Sequence, residues 1–208
     1  MLLPALSAAR ERARSANCVA KLKQIGLAEF MYSGVNKDYV AITNDFSTTA
    51  TVPEVGFDLA EDDTLSSAPA VNAGDKLLMG GFLGSNLTKE TYDSKEKAFK
   101  CPSDSVNWQS SGSDAGKVSS YNNAVQAAEA GTLSAASAPR KRLIVGRDNP
   151  GCATWYDHHK GIYSTCGGKN NNNHPSNINI GYLGGHVSSR SVKDTQAGNW
   201  GFIDEITY

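Results

Sequence analysis

The chain has 208 residues, with 20 Lys and Arg against 21 Asp and Glu, for a formal net charge of -1. That length fits one ample domain or two small ones, and the balanced charge argues against a general nucleic-acid binder, which carries a marked basic excess. Hydrophobic residues at 39% suffice for a core, whereas 20 glycines among many Ser and Asn point to a loop-rich, strand-rich body. No apolar run approaches the length needed to span a bilayer, so this segment by itself is expected to be soluble.

The first element in chain order is a helix. Pro4 suits a first helical turn, where its missing N–H costs nothing. From Ala5 to about Ser33 there is no other proline and one glycine, Gly26, among Ala, Leu, Arg, Lys and Glu, all good helix formers. Cys18, Leu22, Ile25, Ala28 and Tyr32 fall at spacings of four, three, three and four, one apolar stripe at helical period. Arg10, Arg12, Arg14, Lys21 and Lys23 point elsewhere, with Glu11 and Glu29 as acidic counterweights. A transit peptide would be Arg-rich and acid-poor, but here the pattern runs straight into a packing helix. A nucleic-acid arm would interleave aromatics with more charge. An amphipathic helix with a solvated basic face fits better.

The body that follows is irregular. Tyr39 to Ile42 is a short strand candidate. Asn44 to Ser67 reads as polar loop, and its Glu61-Asp62-Asp63 lacks the alternating spacing of a calcium loop. Asp75 to Leu83 reads as a short helix facing the core. In Ala98 to Asp104, Phe99 and Cys101 share one face of a predicted strand that Pro102 ends. Gly112 to Ser119 superficially resembles a phosphate-binding loop, but three residues separate its glycines instead of four and Val118 follows the lysine. Lys141 to Gly146 is a further strand candidate.

All four histidines, His158, His159, His174 and His186, lie in the last third, near Asp157, Cys152 and Cys166. This is the one constellation rich enough for chemistry, but its spacing matches no compact metal motif, and no nucleophile is paired with a base. Ile178, Ile180 and Tyr182 alternate with Asn179 and Gly181, the period of a half-buried strand. Gly184-Gly185 supplies the tolerance of positive φ that a two-residue hairpin turn needs, and Val187 to Val192 is the return strand. The four cysteines, Cys18, Cys101, Cys152 and Cys166, form no Cys-x-x-Cys pair. An even count in such a composition fits disulfides in an oxidising compartment.

Residues 2 to 33, LLPALSAARERARSANCVAKLKQIGLAEFMYS, resemble the segment just after the membrane anchor of type IV prepilin-like and type II secretion pseudopilin-like proteins. The Phe99-Lys-Cys-Pro-Ser103 and Ser120-Tyr-Asn-Asn-Ala124 stretches resemble others in that family. His174, nine intervening residues and then Gly184-Gly185-His186-Val187 are similar to its C-terminal His-x9-Asp-Gly signature, with Gly184 in place of the Asp. The motif turn thus comprises His174, Gly184, Gly185 and His186.

The resemblance implies that the opening stretch continues a longer helix, whose basic leader, cleavage and methylation signal and apolar half lie upstream in the intact protein. It implies an α+β, pilin-like fold: a long N-terminal α-helix packed on an antiparallel β-sheet with an elaborated loop-rich head. Residues 1–33 would be the C-terminal half of that helix and 34–208 a globular β-rich head, one structural domain together. Leu22, Ile25, Ala28 and Tyr32 would pack on the sheet. The implied role is a non-catalytic subunit of an envelope assembly for protein secretion, needing no cofactor and no nucleic acid. It would be anchored in the bacterial inner membrane with its head in the periplasm or at the cell surface, and its partners would be other pseudopilin-like subunits and the secretion machinery. Among the three pairings that four cysteines allow, Cys152–Cys166 is expected because the two are close in sequence and bracket a Gly-rich stretch, with Cys18–Cys101 pinning the helix to the sheet. Two alternatives differ in kind. An envelope-displayed binding module would hold a glycan or peptide on Trp155, Tyr156, Tyr163 and Trp200. A metal-dependent hydrolase would use His158, His159, His174 and His186 as ligands.

Overall fold

Helix α1 spans Leu2–Val35. A computed structural model describes residues 2–42, 73–84, 92–105, 108, 119–124, 142–159, 172–191 and 203–205. The expected readings at 44–67 and 112–118, together with Tyr163, Cys166 and Trp200, fall outside them. Two short helices follow, α2 (Ala73–Met79) and α3 (Tyr92–Phe99), and then four strands, β1 (Tyr121–Asn123), β2 (Ala153–Asp157), β3 (Asn177–Tyr182) and β4 (Val187–Ser191). The strands form one sheet in chain order, every neighbouring pair antiparallel. The chain is therefore α+β, a long N-terminal helix on an antiparallel meander.

The apolar stripe packs as its period demands. Cys18, Leu22, Ile25 and Ala28 are fully buried, and Tyr32 packs against the same cluster, edge-on to Phe82. At about 25 cal/mol per Å² of apolar surface, burial of this stripe is the main term holding α1 to the head. The helix ends where Asn36 and Asp38 donate their backbone N–H groups to the Ser33 carbonyl and the Asn36 amide caps the Tyr32 carbonyl at 2.8 Å.

Strands β1 to β3 are buried on both faces, which the alternation in β3 does not anticipate, while β4 is partly exposed. Ile178, Ile180 and Tyr182 join Ala153, Tyr156, Ala124 and Ile203 in a cluster separate from the one that contains the helix stripe. The opposite face of β3 carries Asn177, Asn179 and Gly181. Both asparagine amides reach Ser15 Oγ on α1, and the bare Cα of Gly181 lies under the Leu22 carbonyl. Thus α1 lies on the polar, small-residue face of β3. Its apolar partners are Trp155 and Tyr121 on the neighbouring strands.

Three strand expectations are corrected. Phe99 and Cys101 do not share a strand: Phe99 ends α3, a helix with Asp93 in its first turn and Lys97 in its last. Lys21, expected on the solvated face of α1, reaches across and donates from Nζ to the Lys97 and Lys100 carbonyls at 2.7 and 2.8 Å, capping that helix. Tyr39 to Ile42 and Arg142 to Gly146 meet only at one bridge, Tyr39 with Ile144. Side chains take their remaining donors: Glu29 accepts the Ala41 N–H, and Asp148 accepts those of Leu143 and Ile144. Arg142 is buried and forks onto Asp204 at 2.9 and 3.1 Å, tying residues 203–205 to β2.

The hairpin between β3 and β4 uses three loop residues instead of two. Tyr182 donates to the His186 carbonyl, and Gly185 donates to the Tyr182 carbonyl, so Leu183, Gly184 and Gly185 form the loop. Gly185 has φ of +82°, and a Cβ there would lie 2.5 Å from the Phe30 ring. Both backbone and space require glycine at this position.

Candidate functional site

The polar end of the α1 stripe leads to the densest cluster of chemical groups. One helical turn before Cys18 lies Ser15, and one turn earlier Glu11. Spacings of four and three place all three on the face that meets the sheet. Cys18 is disulfide-bonded to Cys101, which follows α3, with Cα atoms 5.6 Å apart. The expected Cys18–Cys101 bond is present, but it pins α1 to the segment after α3 and not to the sheet. Cys152 is buried, and its expected partner Cys166 is outside the described residues.

His174, on the segment leading into β3, has a fully buried side chain. Its Nδ1 lies 2.6 Å from Glu11 Oε1. A carboxylate can only accept, so this nitrogen carries the proton. The other nitrogen, Nε2, lies 3.3 Å from Asp157 Oδ2 and 3.5 Å from Cys101 Sγ. Glu11 is itself held by the Ser103 hydroxyl at 3.0 Å to both oxygens. Asp157, the last residue of β2, takes the backbone and side-chain N–H groups of Asn179 on Oδ2 at 3.0 and 2.6 Å. Its Oδ1 is buried without a hydrogen-bond partner. Burial pushes the Asp157 carboxyl up to about 6, against the lowering effects of His174 and the Asn179 donors, with nearby Asp104 adding to the rise.

Around this core the polar groups continue. Asp104 accepts the Ser120 hydroxyl at 2.6 Å and the Trp108 N–H at 3.1 Å. His158 is buried with Nδ1 3.4 Å from the Asn122 amide, and burial lowers its pKa while Asp104 raises it and His159 lowers it further. Burial, then Asp157 and Asp104, raise the Tyr121 phenol well above its ordinary value.

The structure does not gather the four histidines around one point. Cys18, Cys101, Asp157 and His174 have ligand atoms within 4.8 Å of one another, and no other histidine joins that group among the described residues. His158 and His159 are buried at the end of β2. His186 is half-exposed beside the hairpin, stacked on Tyr182 and bonded to Glu205 at 2.7 Å. The motif turn is likewise divided: Gly184, Gly185 and His186 form the hairpin, while His174 belongs to the cysteine cluster. Trp155 and Tyr156, offered as a ligand platform, are core residues with 1% and 0% exposure. Sequence reasoning missed Glu11 and Asp157 as partners of His174. The signal available for Glu11 was its helical register with Cys18.

No family model, curated protein or solved structure matches this chain.

Proposed function

We propose that this chain is the helix-and-head portion of a non-catalytic, pilin-like structural subunit of an envelope secretion or pilus-type assembly. The observation that carries the reading is the outer face of α1. Leu27, Met31 and Val35, spaced one turn apart on the side away from the head, remain 60%, 44% and 72% exposed. An apolar stripe of this kind on a helix already packed along its other side fits helix-to-helix assembly. The first turns of α1 support the same role. From Pro4 to Asn17 every residue but Glu11 and Ser15 is exposed, so a rod projects from the head toward the end at which the family resemblance places a membrane anchor. Partners in this reading are further pseudopilin-like subunits and the secretion machinery, with the head outside the inner membrane.

The test is expression of the complete gene product in its bacterial host with the prepilin peptidase present or deleted. Peptidase-dependent shortening is expected, with the head accessible to protease from outside the inner membrane. A Leu27→Asp/Met31→Asp variant is expected to be processed normally and to lose cross-linking to its neighbours. A cytoplasmic product of unchanged size in both strains would overturn the reading.

A further inference from the structure

We propose that, once its disulfide is reduced, the chain holds a tetrahedral zinc-type cation on Cys18, Cys101, His174 and Asp157, so that disulfide and metal are alternative occupants of one buried junction. The argument is geometric. Zinc bonds of about 2.3 Å to sulfur and about 2.0 to 2.1 Å to nitrogen and oxygen set tetrahedral edges of about 3.5 Å between S and N and about 3.3 Å between N and O. The observed edges are 3.5 Å from Cys101 Sγ to His174 Nε2 and 3.3 Å from His174 Nε2 to Asp157 Oδ2. Two edges of the tetrahedron are therefore already at metal length. The two sulfurs, now bonded to each other, must move apart, and all four ligand atoms already lie within 4.8 Å of one another.

The surroundings match what a metal requires. Glu11 fixes the proton of His174 on Nδ1, which turns the Nε2 lone pair toward Asp157. Two acceptors facing each other in a buried site need a positive centre between them. A divalent cation held beside two thiolates meets that need. A carboxylate behind a ligating histidine is the usual outer-shell arrangement. Asp157 also retains one oxygen, Oδ1, with no hydrogen bond despite full burial. All four ligands are buried, and four protein ligands leave no open position, so the site is structural in kind.

The exchange balances. A dithiol supplies two electrons and two protons, opens Cys18–Cys101 to two thiols and leaves as its own disulfide. The incoming cation then displaces one proton from each thiol.

The test is cobalt titration of the chain reduced with a water-soluble phosphine, beside the oxidised chain. The reduced chain is expected to bind one cobalt, with the visible absorption of tetrahedral cobalt and thiolate charge-transfer bands, and the oxidised chain none. His174→Gln is expected to weaken binding by more than tenfold, Glu11→Gln by about tenfold, and His186→Ala not at all. Circular dichroism runs in parallel, and if reduction unfolds the chain, recovery of the fold on adding zinc supports the proposal. Failure of an unfolded reduced chain to recover, a folded reduced chain that binds no cobalt, binding without thiolate bands, or equal binding by the oxidised chain would overturn it.

Discussion

Glu29, in the last two turns of α1, accepts the indole N–H of Trp155 at 2.8 Å on one oxygen and the Ala41 backbone N–H at 2.7 Å on the other. One carboxyl thus joins α1, β2 and the chain leaving the helix. Burial raises its pKa from 4.5 to about 7, against the lowering effects of the Ala41 and Trp155 bonds and of Lys76. The folded state therefore holds this proton more tightly than the unfolded chain does. That contribution is fully present below pH 4.5 and is lost as pH rises to about 7. Urea midpoints measured across this window should fall with pH, and Glu29→Gln should remove that part of the slope. Glu29→Ala strands two buried donors and should cost about 2 to 4 kcal/mol.

Gly185→Ala faces two obstacles, a φ of +82° and the Phe30 ring 2.5 Å from the new Cβ. A loss of about 1 to 3 kcal/mol is expected in thermal melts. Phe30→Ala made together with Gly185→Ala should show positive coupling in a double-mutant cycle, because it removes the clash and leaves only the backbone term.

Lys21→Met keeps most of the aliphatic stem and removes the cap on the Lys97 and Lys100 carbonyls. We expect a loss of about 1 to 2 kcal/mol, with hydrogen exchange rising first in α3 and little changed in the sheet. Equal acceleration everywhere would show that the cap does not act locally.

Arg142 and Asp204 are 2% and 4% exposed at the side chain, so removing one leaves the other as an uncompensated buried charge. Arg142→Met or Asp204→Asn should each cost about 3 to 5 kcal/mol. Arg142→Met combined with Asp204→Leu should cost less than the sum of the two single losses, as read by chemical denaturation.

The parts of the fold legible from sequence are those in which one periodicity decides the outcome. Cys18, Leu22, Ile25, Ala28 and Tyr32 mark the buried face of α1 because an apolar stripe at helical spacing has few other destinations. Glu11 and Glu29 escaped because charge suggests solvent. Yet Glu11, Ser15, Cys18, Leu22, Ile25, Glu29 and Tyr32 keep an unbroken four-three rhythm, and admitting polar members to the stripe would have exposed both carboxylates as inward-facing. Strand β2 was not read because all five of its residues are buried, which erases the alternation that betrays a strand. In β3 the alternation was visible, but a period cannot say which face meets the helix. Asn177, Asn179 and Gly181 meet it because two amides find Ser15 on α1. The cysteine cluster draws on α1, the segment after α3, β2 and the approach to β3, and only the folded topology brings those together.

The Cys18–Cys101 bond also determines how the protein carries load. Tension applied along the projecting end of α1 reaches Cys18 and there passes covalently to Cys101, bypassing the stretch between two residues 83 positions apart in sequence. At roughly 3.5 Å per extended residue, about 290 Å of slack is thereby withheld. Pulled as an oxidised molecule, the head is a short, stiff tether. Pulled after reduction, it can lengthen through that stretch once the packing of α1 on the sheet gives way.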